Sequence, residues 1–377
     1  MVVARPPFLL LLLLALVSDA RAARASLPAT INAAYSGCTN ESAVLHAART
    51  GVNVLLWFSI QLIDGGGGQP AIAGGPDLAC IANVSAILRA EGLPTVHMVT
   101  VGGWNAPHPT TAFSPAALFA AFLQWNQHVV ARPGLESGFD GIDWDLEGND
   151  DPRNQNNNIS IAQLDTVGAF SQLAKASGLF VSLVPCESYL DPTRGGFDIS
   201  LRHPYPEWHP EFLYHGLNPY ALLLAKYALT RVGGEDVPTY DFVTVQLYES
   251  WSHANFNVTA GQSAAAYLTA WVPQLVQGWI VSFGAYPPAG LPTQRVAVPA
   301  AQLLIGLGNG WAGGAKSLLV MPAVVGEAWA SLSAKGVTPR GVGWWCVEEE
   351  GAIPPGQTQP LFFAQGLNSF LKGRAAL

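Results

Sequence analysis

Charged residues are scarce in this sequence of 377 residues. Lys, Arg, Asp and Glu together make up 12% of the chain, and 18 basic against 26 acidic residues leave a net charge of −8. A nucleic-acid-binding protein carries a basic surface that neutralises phosphates, so this charge balance argues against that class. Apolar residues make up 50% of the chain, which excludes an intrinsically disordered protein. The length fits one large barrel or two ordinary domains.

Cysteines and metal-binding motifs are also few. The four cysteines, which allow three complete pairings, are Cys38, Cys80, Cys186 and Cys346. No Cys-x-x-Cys and no His-Glu-x-x-His segment occurs, and the eight histidines are scattered along the chain. We therefore predict no metal site and no cofactor, and a fold that depends on its hydrophobic core rather than on disulfides.

Long hydrophobic runs are absent except at the N-terminus. Residues 8–17 form an apolar run of ten residues, followed by the small residues Ala20 and Ala22. The run is too short to span a bilayer. It predicts a secretory signal peptide over residues 1–22, with a second candidate cleavage position just beyond. We expect a secreted protein, with N-x-Ser/Thr glycosylation sequons at Asn40, Asn83, Asn158 and Asn257.

Short β-rich runs alternate with Ala- and Leu-rich helical runs over the rest of the chain. The predicted strands are residues 31–36, 52–62, 95–101, 138–147, 179–185, 242–248, 302–307 and 341–347. The predicted helices are residues 41–49, 78–91, 115–131, 161–177, 262–277, 321–335 and 360–371. This alternation indicates parallel βα units and an α/β fold, a single-domain (βα)8 TIM barrel over residues 23–377. A doubly wound open sheet is the alternative, and it does not require eight strands.

The fourth predicted strand is the most informative segment. Its two faces differ, because alternate residues of a strand point to opposite sides. One face carries Ile142, Trp144 and Leu146, and the other carries Asp143, Asp145 and Glu147. Three carboxylates inside a barrel are costly, since burial disfavours the charged form and like charges raise one another's pKa. The cluster is typical of a site that keeps one carboxylic acid protonated. A hard-cation site is the alternative, but the flanking strands supply no obvious further ligands.

Motifs on four predicted strands resemble those of glycoside hydrolase family 18, which contains chitinases and endo-β-N-acetylglucosaminidases. The acidic strand matches the family signature as Asp140-x-x-Asp143-x-Asp145-x-Glu147. Thr100-Val101-Gly102-Gly103 is similar to the family's Ser-x-Gly-Gly, with Thr for Ser. Gln246-x-Tyr248 is similar to its Gln/Met-x-Tyr-Asp/Asn, with Glu249 in the last place, and Gly341-x-x-x-Trp345 to its Gly-x-x-x-Trp. The resemblance runs from the third strand to the eighth.

The resemblance implies a secreted retaining hydrolase of β-1,4-linked N-acetylglucosamine that uses substrate-assisted catalysis. It implies that Glu147 is the general acid and then the base, and that Asp145 orients the substrate's acetamide group. Asp143 is implied to share a proton or hydrogen bond with Asp145. Tyr248 is implied to donate its hydroxyl to the acetamide oxygen.

Strand alternation adds candidate substrate-binding residues. Gln246 shares the inner face of the sixth strand with Tyr248, and Trp345 lies on the inner face of the eighth strand as a floor for a sugar ring, with packing in the core as its alternative. The remaining candidates near the third strand are Trp104, Thr100, Gly102 and Gly103. For three loop aromatics, sugar contact and loop packing both remain open: Tyr205, Trp208 and Trp251.

The positions of the cysteines on this barrel predict one disulfide at most. Cys38 follows the first strand and Cys80 begins the helix after the second, so a bridge between these neighbouring units is geometrically allowed. Cys186 comes at the end of the fifth strand and Cys346 lies in the eighth, and these two strands are not adjacent. We expect these two to be buried thiols.

Three functions remain open at this point. A chitinase and an endo-β-N-acetylglucosaminidase that acts on N-glycans share every catalytic residue, and loops decide between them. A non-hydrolytic chitin-binding lectin on the same barrel is the third, although such proteins usually lack the acid and this chain has Glu147. In each case the expected partner is an oligo- or polysaccharide containing N-acetylglucosamine. We expect a monomer that has no nucleic-acid partner and, after signal cleavage, no membrane contact.

Overall fold

Eight parallel strands form the centre of the protein, whose computed structural model describes residues 26–203, 215–249, 252–313 and 316–371. The strands are β1 (Ile31–Ser36), β2 (Val54–Asp64), β3 (Val96–Gly103), β4 (Gly141–Leu146), β5 (Phe180–Leu183), β6 (Phe242–Gln246), β7 (Leu303–Gly308) and β8 (Gly341–Trp345). They are joined in chain order, and β1 pairs with both β2 and β8, which closes the ring. The predicted (βα)8 barrel is therefore confirmed. The predicted signal peptide, Tyr205, Trp208 and Trp251 lie outside the described residues.

Helices follow the strands and cover the outside of the barrel. They are α1 (Glu41–Arg49), α2 (Leu78–Ala90), α3 (Pro115–Trp125), α4 (Ile161–Ala176), α5 (Ala221–Lys226), α6 (His253–Thr259), α7 (Ala264–Gln277), α8 (Pro322–Ala334) and α9 (Phe363–Leu371). A capping box between Ser160 and Gln163 begins α4, and it satisfies amide groups at the helix N-terminus. Within the described ranges, no helix has the length and apolar character that a membrane span requires.

Strand β4 has the two faces that the sequence predicts. Trp144 packs edge-on against Phe170 of α4, with ring centroids 5.2 Å apart, and its Nε1 donates to Ser171 Oγ at 2.9 Å. Ile142 and Leu146 are also fully buried in the layer between strands and helices. Because this outward face is fixed by packing, the alternate residues of β4 are directed into the barrel.

The structure contains three features that the sequence did not predict. Strand β2 continues into a hairpin with an antiparallel strand at Pro70–Gly74, and its register against β3 shifts between Trp57 and Ile60. The short helix α5 ends at Lys226, and a hairpin follows it, which begins at Leu229 and turns at two glycines with positive φ. Two further short hairpins lie outside the barrel, at Asp198–His203 with His215–Leu217 and at Trp279–Val281 with Gln294–Val296.

One disulfide joins the first two βα units. Cys38 follows β1 and Cys80 lies in the first turn of α2, with Cα atoms 6.1 Å apart, within the range that a disulfide spans. Cys186 and Cys346 are free and buried. The predicted pairing and the two predicted thiols are thus confirmed.

Thiol counting checks this arrangement in solution. Denatured, unreduced protein should react at two thiols, from Cys186 and Cys346, and reduced protein at four. Because the two free cysteines follow strands that are not neighbours, oxidation during purification should not pair them within one folded chain. A count of zero before reduction contradicts the two free thiols, and a count of four contradicts the disulfide.

Candidate active site

A cavity of about 640 Å³ opens at the carboxyl ends of the barrel strands, which is the face where the active sites of TIM barrels lie. All but one of the predicted site residues line it: Glu147, Asp145, Tyr248, Gln246, Trp345, Trp104, Thr100, Gly102 and Gly103. The exception is Asp143, which lies one step deeper along β4 and is completely buried. The structure thus brings the predicted site residues together around one cavity.

Asp143 is surrounded by hydroxyl donors from three other strands. Tyr35 Oη and Thr100 Oγ1 donate to its Oδ2 at 3.0 and 3.2 Å, and Ser182 Oγ donates to its Oδ1 at 2.6 Å. Burial raises the pKa of Asp143 to about 6, although the three hydrogen bonds oppose that rise. Thr100, at the position where the family that the sequence resembles has Ser, supplies one of these three hydroxyl contacts.

Asp145 and Glu147 form a coupled pair above Asp143. Burial raises the pKa of both carboxyl groups, and the pKa of Asp145 is raised further by the charge of Glu147 and by a hydrogen bond between the two. Gln246 Nε2 lies 3.2 Å from Asp145 Oδ1 and 3.3 Å from Glu147 Oε1, and it donates to Val184 O at 2.8 Å. The pair therefore titrates as one unit that keeps a proton at pH values where isolated carboxyl groups have lost theirs.

The backbone between these two carboxyl groups is held by Tyr220, which immediately precedes α5. The Leu146 amide donates to Tyr220 Oη at 2.6 Å, and this hydroxyl lies 3.4 Å from the carbonyl oxygens of Trp144 and Leu146. Tyr220 is completely buried. Because Leu146 separates Asp145 from Glu147, this contact fixes the direction in which both side chains leave the strand.

Two glycines of β3 keep space beside Asp145. Both have positive φ, +106° at Gly102 and +108° at Gly103, which favours glycine. A Cβ at Gly102 would lie 2.0 Å from the Asp145 carbonyl oxygen, so no larger residue fits there. A Cβ at Gly103 would lie 4.0 Å from Asp145 Oδ2, an ordinary contact, so at this position the positive φ is what favours glycine. Gly102 therefore lets β3 lie close to β4 beside Asp145.

Aromatic side chains form the floor of the cavity. Trp345 contacts Phe58 and Tyr35, with ring centroids 4.4 and 5.7 Å apart. Its neighbour Trp344 points outward, where its ring lies 5.7 Å from Phe363 and its Nε1 donates to an asparagine of β1. The two neighbouring tryptophans therefore point to opposite sides of the barrel wall.

Trp104 occupies the rim of the cavity. Its Nε1 donates to Asp150 Oδ1 at 3.1 Å, and Asn105 Nδ2 donates to the other oxygen of Asp150 at 2.6 Å. Asn105 and Asp150 also line the cavity. The indole is thus held by its polar edge, at a position where its ring can face a ligand.

Tyr248 and Glu249 follow β6 and line the side of the cavity. Tyr248 is 8% exposed, and its ring packs edge-on against Trp311 at 5.8 Å. Burial and then the charge of Glu147 raise the pKa of Tyr248 well above its usual value, so its hydroxyl remains a donor. The same two causes raise the pKa of Glu249 to about 8.

Several residues around the site were not predicted as functional. Tyr35 lies on the inward face of β1, so the alternation of residues along this strand could have predicted its position. Phe58 enters the cavity at the register shift of β2, and Tyr220 reaches β4 from 74 residues away, so neither position follows from a local pattern. Among the described residues, no group of three or more His, Cys, Asp or Glu side chains is arranged to hold a metal ion.

Solved structures share this architecture. A fungal endo-β-N-acetylglucosaminidase of glycosyl hydrolase family 18 is 15% identical, with a TM-score of 0.53 over 93% of this chain and 100% of its own. The catalytic domain of a family GH18 chitinase from the fern Peteris ryukyuensis is 15% identical, with a TM-score of 0.52 over 90% and 98%. A GH18 chitinase from Pseudoalteromonas aurantia is 13% identical, with a TM-score of 0.51 over 91% and 99%. No protein-family profile and no curated protein matches the sequence. The chain therefore has a GH18 chitinase-like fold.

The role of Tyr220 can be tested by removing its hydroxyl. Tyr220→Phe should lower the free energy of unfolding by about 1–3 kcal/mol, because the Leu146 amide loses its buried acceptor. Tyr227→Phe is the matched control, since that hydroxyl is only partly buried and bonds to Asp165. Chemical denaturation of the three proteins measures the difference. Equal losses in the two variants would contradict a specific role for the Tyr220 contact.

Proposed function

We propose that this protein is a secreted retaining glycoside hydrolase that cleaves β-1,4-linked N-acetylglucosamine in chitin or chitooligosaccharides by substrate-assisted catalysis. The observation that carries the proposal is the stack of three buried carboxyl groups along β4 and at its end, whose upper pair is hydrogen-bonded and lines the cavity. The GH18 chitinase-like fold supports it. The proposal includes the signal peptide over residues 1–22, a catalytic barrel over residues 23–377 and a monomeric state.

Each group on β4 has a distinct role in the proposed reaction. Glu147 gives its proton to the glycosidic oxygen as the bond to the anomeric carbon breaks, and the acetamide oxygen of the same sugar forms the new bond to that carbon. Asp145 orients the acetamide and stabilises the positive charge that it gains. Asp143, held by three hydroxyl donors, biases where the proton of the upper pair resides. Glu147 then accepts a proton from water, which attacks the anomeric carbon and restores the acetamide.

The wall of the cavity supplies the contacts that hold the sugar. Tyr248 donates its hydroxyl to the acetamide oxygen, and Trp345 stacks against the apolar face of the ring at the cleavage point. Trp104 is placed to contact a further sugar at the rim. The other residues act on the carboxyl groups: Gln246 by its amide, Thr100 through Asp143, and Gly102 and Gly103 by leaving room.

An endo-β-N-acetylglucosaminidase that cuts N-glycans is the second candidate. The observation that favours it is the fold match to a fungal enzyme of that name. Incubation with chitooligosaccharides and, separately, with a high-mannose glycoprotein, followed by product analysis, distinguishes the two. Release of shorter chitooligosaccharides alone supports the first candidate, and release of the glycan alone supports the second. Binding without cleavage of either substrate would indicate a lectin and contradict both.

Removing the acid should separate binding from turnover. Glu147→Gln should lower kcat by at least ~10²–10⁴-fold, the usual contribution of a general acid, while the sugar still binds. Glu187→Gln is the matched control, because this buried glutamate bonds to Tyr267 and the Ala254 amide outside the cavity. Steady-state kinetics and calorimetric titration give both quantities. Turnover near the wild-type value in Glu147→Gln rejects the assignment of the acid.

The N-acetyl group should be required for cleavage. Asp145→Ala and Tyr248→Phe should both lower the rate on chitooligosaccharides, because both side chains act on the acetamide. A thiazoline that mimics the cyclised acetamide should inhibit the wild type more strongly than either variant, since it resembles the species that these residues stabilise. Efficient hydrolysis of a cellulose oligomer, which lacks the acetamide, is incompatible with the mechanism.

A further inference from the structure

A buried thiol lies directly behind the carboxyl group of Glu147. Cys186 follows β5 and is completely buried, and its Sγ lies 3.6 Å from Glu147 Oε2 and 3.9 Å from Gln246 Oε1. The backbone of Cys186 forms a parallel bridge with that of Gln246, and the backbone N–H of Gln246 donates to the Pro185 carbonyl oxygen at 2.9 Å. The sulfur atom is therefore held by the sheet itself rather than by a loop.

The two oxygens of Glu147 thus have different neighbours. Gln246 Nε2 lies 3.3 Å from Oε1, and the Cys186 thiol is the neighbour of Oε2. An S–H group has one proton to donate, and a carboxylate is a stronger acceptor than an amide oxygen. The shorter contact is also the one to the carboxyl group. Both considerations direct the thiol proton to Glu147.

The thiol is suited to act only as a donor. Burial, and then the charges of Glu147 and Asp145, raise the pKa of Cys186 well above its usual value, so the sulfur keeps its proton. Cys186 is completely buried and does not line the cavity, so other side chains separate it from a sugar bound there. A role as nucleophile or proton acceptor is therefore inconsistent with its environment.

We propose that Cys186 is a positioning residue for the general acid, donating its S–H to Oε2 of Glu147 and fixing the orientation of the carboxyl group together with Gln246. The proposal rests on the proposed function, in which Glu147 is the acid and then the base. The contact is strongest when Glu147 is charged, after it has given its proton to the glycosidic oxygen. It favours the carboxylate and orients it for the step in which it accepts a proton from water.

Other titratable groups lie near Glu147 and also influence its pKa, so a test of Cys186 must leave them unchanged. They are Asp145 on β4, with Asp143 beneath it, Tyr248 and Glu249 after β6, Tyr189 after β5 and Tyr220 before α5. The contact of His108 with Glu147 is to the backbone carbonyl oxygen, at 2.8 Å. A change at Cys186 leaves all of these groups in place, so a shift in titration is assigned to the thiol.

The pH dependence of kcat/KM measures this effect. In Cys186→Ala the alkaline limb of this profile should move to a pH about half a unit higher. The reason is that Glu147 loses a weak hydrogen-bond donor that favours its carboxylate form, so its pKa rises. KM should stay within about twofold of wild type, since the thiol does not touch substrate. Cys186→Ser should return the limb toward the wild-type position. Cys346→Ala, which removes the other buried thiol, should leave the limb where it is.

An unmoved alkaline limb in Cys186→Ala, or an equal shift in Cys346→Ala, overturns the proposal.

Infrared spectroscopy tests the contact without substrate, so it remains decisive if the proposed hydrolase activity itself fails. In Cys346→Ala protein the S–H stretching band comes from Cys186 alone, because the other two cysteines are joined. At a pH where Glu147 is ionised, adding Glu147→Gln should move that band to higher frequency, because a neutral amide oxygen is a weaker acceptor than a carboxylate. An unchanged band shows that the thiol does not donate to Glu147.

Discussion

The burial of three carboxyl groups on one face of β4 is the constraint on which the rest of the site depends. Desolvation penalises their charged forms, and each carboxyl group in the stack makes ionisation of its neighbour harder. The barrel offsets this cost with donors from the surrounding strands. Three hydroxyl groups serve Asp143, and the Gln246 amide serves the pair above it. The result is a pair of carboxyl groups with raised pKa values, which retains a proton at pH values where isolated carboxyl groups have lost theirs.

The residues around β4 hold this strand in one position. The outward face of β4 packs Trp144 against α4, and Tyr220 binds the backbone between Asp145 and Glu147. Gly102 lets β3 approach so closely that a Cβ would meet the Asp145 carbonyl. Behind Glu147, the Cys186 thiol occupies the remaining side. The carboxyl groups are therefore held from several sides, and aromatic rings line the cavity beside them.

The sequence predicts those parts of this arrangement that depend on alternation along one strand. The inward direction of Asp143, Asp145 and Glu147, and the opposite orientations of Trp344 and Trp345, follow from a period of two. The contacts of Tyr220 and Cys186 do not, because they join residues 74 and 39 positions apart in the chain. Phe58 reaches the cavity through a register shift in β2, and no local pattern marks such a shift. The sequence therefore predicts the carboxyl groups themselves, but not most of the long-range contacts that surround them.

The stereochemistry of cleavage tests the central claim most directly. If the acetamide attacks first and water second, two displacements at the anomeric carbon leave its configuration unchanged. Proton nuclear magnetic resonance of a chitooligosaccharide digest, recorded before mutarotation equilibrates the product, identifies the anomer that forms first. The proposed mechanism predicts the β-anomer at the new reducing end. The α-anomer as the first product would mean that water attacks directly, and it would contradict the proposed roles of Asp145 and Glu147.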